Sequence, residues 1–160
     1  MNGINDLDLK DLVTRTLTDV FDTMLSMDIE QIDDGGKGID GGKQIIGSVG
    51  FAGKVMGNIN IQVDGDFARI ITAQMLGMKT DEIESEEDVF DVIGELCNMV
   101  GGDIKSRLCD NGFTCKLSIP SVTGGNDLKV ESKGWDRYEC FSFKCMDNIA
   151  LVQVYMKTEK

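Results

Sequence analysis

The chain has 160 residues, 41% of them hydrophobic, and a formal net charge of -12. That length predicts one domain spanning residues 1–160, with enough apolar sequence for a real core rather than a disordered chain. So acidic a balance speaks against binding the phosphate backbone of nucleic acid or an anionic membrane, and it permits a partner that displays lysine or arginine.

The opening MNGINDLDLKDL lacks the basic and apolar segments of a signal peptide. No apolar run approaches the ~20 residues of a membrane span, so the expectation is a cytoplasmic protein with no membrane insertion. Residues 7–27 place Leu9, Leu12, Val13, Leu17, Val20, Phe21, Met24 and Leu25 at steps of three and four, the spacing of an amphipathic helix. DDGGKGIDGG, residues 33–42, reads as a loop. Residues 45–51 and 54–63 read as a hairpin, in which Ile59, Ile61 and Val63 alternate with Asn58, Asn60 and Gln62. A helix is expected over 67–76, with Asp66 as cap and Gly77 as stop.

A second long helix is expected from Ser85, where SEED has the look of a capping box, to near Leu108, with Asn111-Gly112 ending it. Residues 115–122 read as a strand that Pro120 confines to a sheet edge. Strands over 128–132, 138–146 and 149–156 follow, the last two joined by a turn at Asp147-Asn148. KVMGNI at 54–59 resembles KCMDNI at 144–149, and a long helix precedes each. The chain therefore reads as two copies of a helix and a hairpin. In that alignment Val20 and Thr23 stand where the second copy has Glu95 and Asn98.

There is no histidine, which removes Ser-His and Cys-His catalysis and the commonest metal ligand. The five cysteines, Cys97, Cys109, Cys115, Cys140 and Cys145, include no Cys-x-x-Cys and read as reduced, packed residues. GGKGIDGGKQ departs from a phosphate-binding loop, since Gln44 follows Lys43 and a strand comes next. No metal site is expected on this chain.

The informative segment is GELCNMVGG, residues 94–102. On a helical wheel Val89, Ile93, Leu96, Val100 and Ile104 form an apolar stripe. Asp91, Glu95, Asn98 and Gly102 follow on the opposite side at i, i+4, i+7 and i+11, with Gly94 and Lys105, and Gly101 beside them. A polar outer face is ordinarily just solvated. Interior glycine, however, costs a helix about 1 kcal/mol relative to alanine, and solvent gives no reason to keep three. A bared backbone suits a helix against which something else must lie.

Asp91-x-x-x-Glu95-x-x-Asn98-x-x-Gly101-Gly102 resembles the signature helix of the CheC/CheX/FliY phosphatases, which dephosphorylate the chemotaxis response regulator CheY. The single Glu-x-x-Asn pair makes the chain most similar to the CheX-type members. The resemblance implies an α+β fold, an antiparallel sheet with helices packed on it, built from two related halves. It also implies a homodimer and a phosphorylated receiver domain as partner. Glu95 and Asn98 would be catalytic: Asn98 holding the attacking water, Glu95 pairing with a receiver lysine. Gly94, Gly101, Gly102 and Lys105 would touch the partner, and Asp91 would either add a second polar contact or merely solvate the helix. No cofactor of its own is implied, the Mg2+ belonging to the receiver. Two rivals remain: a non-catalytic adaptor for a receiver or flagellar switch component, using the same ridge, and a thiol enzyme built on Cys97.

Overall fold

The computed structural model describes residues 3–33, 39, 41–129 and 132–158. Helix α1, Leu9–Val20, starts at Asp8, whose carboxylate accepts the Asp11 backbone N–H at 3.1 Å. One π-helical turn, Phe21–Leu25, extends it to Ser26, whose φ of 52° ends it. The short strand β1, Glu30–Ile32, follows; its three residues carry too little alternation to be read from sequence. The expected loop over 33–42 falls largely outside the described residues.

Strands β2, Lys43–Gly53, and β3, Val55–Asp64, form the expected hairpin. Helix α2, Gly65–Leu76, ends at Gly77 in the left-handed region. Its cap is Asp64 rather than Asp66, accepting the Phe67 N–H at 2.7 Å. Helix α3, Glu86–Asp110, is one unbroken rod through Gly101 and Gly102. Ser85 caps it by accepting the Asp88 N–H at 3.2 Å. Glu86, Glu87 and Asp88 in its first turn and Arg107 in its last suit the helix dipole.

Pro120 divides the expected 115–122 strand into β4, Cys115–Leu117, and β5, Ser121–Asn126, both paired to β2. Of the strand expected over 128–132, the described residues Leu128, Lys129 and Ser132 are irregular, and Val130 and Glu131 lie outside the described residues. Strands β6, Arg137–Cys145, and β7, Asn148–Thr158, complete the structure, with the turn at Met146-Asp147, one residue earlier than expected.

The sheet is antiparallel throughout, in the order β1-β6-β7-β3-β2-β4, with β5 sharing the outer edge of β2. The two hairpins meet at β3–β7. A single apolar cluster joins the helices to one sheet face, drawing on Ile45, Val49, Ile59, Ile61, Phe143, Val152 and Val154. The polar face of β3 is buried too: Asn60 and Gln62 are 2% and 6% exposed. Described residues of the link between β5 and β6 lie against that face. Along it the Leu128 carbonyl accepts the Gln62 side-chain amide at 3.1 Å, and Trp135 lies 6.0 Å from Tyr155. The sequence repeat is out of register here. Residues 54–59 start at one hairpin turn and run into β3, whereas 144–149 end β6 and span the other turn.

Two glycines set how closely α3 approaches β2. A Cβ on Gly47 would fall 2.2 Å from the Cys97 sulfur, and one on Gly101 would fall 2.8 Å from Val49 Cγ1. Beside Gly102 there is open space. Gly101→Ala is expected to lower stability by up to about 2 kcal/mol, because overpacking costs about 1–3 kcal/mol against about 1 kcal/mol regained in helix propensity. Gly102→Ala is expected to raise it by up to about 1 kcal/mol. Denaturant midpoints measure both; equal gains would refute the close packing at Gly101.

Candidate functional site

The inward stripe of α3 is buried along its length, Val89, Ile93, Leu96, Val100 and Ile104 being at most 3% exposed. A second constraint stops the helix from rolling. The Thr16 hydroxyl on α1 donates to Asp103 at 2.7 Å, and the Arg107 guanidinium donates to Asp103 at 2.8 Å and to Asp19 at 2.7 Å. With its inner face and one flank held, α3 turns Asp91, Glu95 and Asn98 to solvent.

Glu95 and Asn98 stand one turn apart on the same face. Neither side chain makes a hydrogen bond or ion pair with the described residues. Gly94 is half-buried, and a Cβ there would meet Val122 at 3.5 Å, an ordinary contact. Gly102 and Lys105 continue the ridge, both half-buried. Gly101 does not belong to it. It is buried against Val49, because its helical angle falls with Cys97 and Ile104 rather than with Asn98, so its place among the partner-facing residues is corrected.

A groove of about 640 Å³ runs along the ridge. Asp91, Gly94, Glu95 and Asn98 form one wall with Phe90; Leu117, Ser118, Ile119, Pro120 and Val122 form the other. The sequence reading missed this second wall. Pro120 marked a break in the strand, but only the sheet pairing brings the link between β4 and β5 alongside α3. A separate groove of about 430 Å³, between the start of α1 and the end of α3, is lined by Asp6, Asp8, Asp11, Asp110, Arg15 and Arg107. Its arginines are already engaged, Arg15 with Asp11 and Arg107 with Asp103 and Asp19.

The other sequence candidates do not assemble a second centre. Cys97 is 1% exposed, and burial pushes its thiol up to about 12, so it holds no thiolate near neutrality. Lys43 opens β2 and pairs with Glu86 at 2.7 Å. Thr23 is exposed on the π-helical turn, its hydroxyl donating to the Asp19 carbonyl at 2.7 Å, and Val20 is buried. No described helix is long and apolar enough to cross a membrane.

The profile of the family described as chemotaxis phosphatase CheX matches residues 45–144. A protein of Thermotoga maritima named CheY-P phosphatase CheX is 30% identical over 87 residues, 54% of this chain. That match spans 55% of the relative, so the chain accounts for about half of its length. The chemotaxis protein CheX of Vibrio vulnificus superposes with a TM-score of 0.82 at 23% identity, covering 98% of this chain and 100% of that one. The structure described as the CheX-CheY-BeF3-Mg2+ complex of Borrelia burgdorferi superposes at 0.73 with 22% identity, covering 94% and 98%. At those identities the two structures establish a shared fold.

Native protein treated with a maleimide at neutral pH is expected to react at the exposed Cys140 and to leave Cys97 unmodified until it unfolds. Peptide mapping reads this out, and comparable labelling of both in the native state would contradict the burial of Cys97.

Proposed function

The chain belongs to the chemotaxis phosphatase CheX family, and from that membership we propose that it hydrolyses the aspartyl phosphate of a CheY-like receiver domain in chemotaxis signalling. The observation that carries the reading is the state of Glu95 and Asn98: side by side, exposed, without a hydrogen-bond or ion-pair partner among the described residues, and presented by a helix that is held on its other faces. The name of the Thermotoga relative and the CheX-CheY pairing in the Borrelia structure support it.

Such a reaction asks little covalent chemistry of this protein. Water attacks phosphorus in line, the bond from phosphorus to the aspartyl oxygen breaks, and the electron pair returns to the carboxylate; the products are aspartate and inorganic phosphate. Phosphoryl transfer passes through a loose transition state, so positioning and charge do most of the catalysis. Mg2+, bound to the receiver, would neutralise charge on the phosphoryl oxygens. Asn98 supplies the positioning. Its carboxamide oxygen accepts a hydrogen bond from the attacking water, and its NH2 has two further donors, on a short side chain with little freedom. Glu95 sits one turn earlier and pairs with a receiver lysine, which aims Asn98. Asp91 extends the acidic surface that draws that lysine in. The missing Cβ atoms at Gly94 and Gly102 let the helix enter the partner's pocket. Homodimer formation belongs to the same proposal; β1, β4 and β5 are the outer strands through which two sheets would join.

Asn98→Ala removes an exposed side chain, so it is expected to fold as the wild type does and to lose about 10²-fold or more in hydrolysis rate. Release of phosphate from phosphorylated receivers of the same organism measures it. An Asn98→Ala variant as active as wild type would sink the mechanism, and tight binding by the wild type without phosphate release would make the protein an adaptor. Glu95→Ala is expected to weaken docking and Glu95→Lys to weaken it further through charge repulsion, both seen in affinity for a receiver loaded with BeF3- and Mg2+.

A further inference from the structure

The groove beside Asn98 has an apolar element that catalysis does not explain. Ile119 is 90% exposed, far more than any other large hydrophobic side chain among the described residues. It sits between Ser118 and Pro120 on the link between β4 and β5. Two contacts along α3 fix its level. A Cβ added to Gly94 would lie 3.5 Å from Val122 Cγ2, and one added to Gly101 would lie 3.7 Å from Leu117 Cδ1. The helix and the link therefore run past each other in opposite senses, so Asn98, between the two glycines, lies level with Ser118–Pro120, between the two apolar contacts.

The link is held rigidly. The Ser118 N–H donates to the Gly50 carbonyl at 2.8 Å, and the Gly50 N–H donates to the Ser118 hydroxyl at 2.8 Å, a reciprocal pair that pins the link to β2. Pro120 fixes φ on the other side. An aliphatic side chain so exposed gains nothing from the fold, and a single exposed isoleucine is unremarkable by itself. This one is held in a fixed position on the wall of the groove that carries the unpartnered Glu95 and Asn98.

We propose that Ile119 is an apolar docking residue for the receiver domain, packing against a hydrophobic patch beside that domain's phosphorylation pocket while Asn98 enters the pocket. The inference rests on the phosphatase reading above and assigns to it a determinant of which receiver is accepted. Charged contacts from Glu95 and Asp91 bring many receivers into reach, since lysine-bearing pockets are not distinctive. An apolar contact level with Asn98 discriminates among them by fit and holds the bound state.

The experiment uses the full chain and receivers from the same organism loaded with BeF3- and Mg2+. Ile119→Asp is expected to leave the unfolding midpoint unchanged and to weaken receiver binding about tenfold or more, the loss of one buried aliphatic contact and its replacement by a charge. In phosphate release, KM should rise far more than kcat falls, and Ile119→Val should restore most of the affinity. If Ile119→Asp binds the receiver as tightly as wild type while Asn98→Ala is inactive, the docking role is wrong and the phosphatase reading stands. A fall in kcat with unchanged KM also overturns docking. If Asn98→Ala hydrolyses at the wild-type rate, or the wild type binds no receiver, the reading on which this inference rests is itself wrong.

Discussion

The structure depends on how closely α3 lies against β2. Gly47 on the strand leaves room for the Cys97 sulfur, and Gly101 on the helix leaves room for Val49. A side chain at either position would lift the helix or turn it about its axis. Turning matters more, because Asn98 and Gly101 are three residues apart, about 60° around the axis, and any roll that exposed one would begin to bury the other. The contacts from Asp103 and Arg107 to α1 resist the same rotation from the side. Packing thus decides which residues meet solvent, and the polar ridge is what remains once the inner face is satisfied.

Periodicity in the sequence carried most of this fold, because long amphipathic segments report their own inward face. The α3 stripe, its Ser85 cap and its end at Asn111-Gly112 are local facts about backbone and burial, and all three read correctly. What could not be read is set by pairing partners far along the chain. β1 is three residues long and exists because β6 offers it an edge. The amides of Asn60 and Gln62 look like an outer face, yet both are buried, and Gln62 meets the Leu128 carbonyl of the link that follows β5. Gly101 was misread for a related reason. The sequence registers that a glycine avoids a side chain but not which neighbour requires its absence. Here that neighbour is the protein's own Val49. For Gly102 the space is open, and a partner remains the proposed reason.

The two halves are duplicated in architecture and divergent in detail. Each offers a helix and a hairpin, and the hairpins join at β3–β7, yet the similar hexapeptides occupy different places relative to their turns. Gln62 and Gln153 both sit buried on the face away from the helices, a likeness of environment rather than of matched position. The helices have diverged further. The first closes in a π-helical turn at Ser26, while the second runs on for 25 residues and presents the one Glu-x-x-Asn pair. In the proposed reaction this asymmetry costs nothing, since the nucleophile is water and the metal and lysine come with the substrate.

The burial of the sheet's second face has a further consequence for amide hydrogen exchange. β3 and β7 are shielded on both faces and bonded on both edges, and β2 is flanked by β3 on one side and by β4 and β5 on the other. Backbone opening then has to begin at the rim, at the short strand β1, and reach the centre only with global unfolding. A helix seated on such a floor arrives at its partner already ordered, so encounter requires no folding step, and the entropy of assembling the ridge has been settled before the partner comes near.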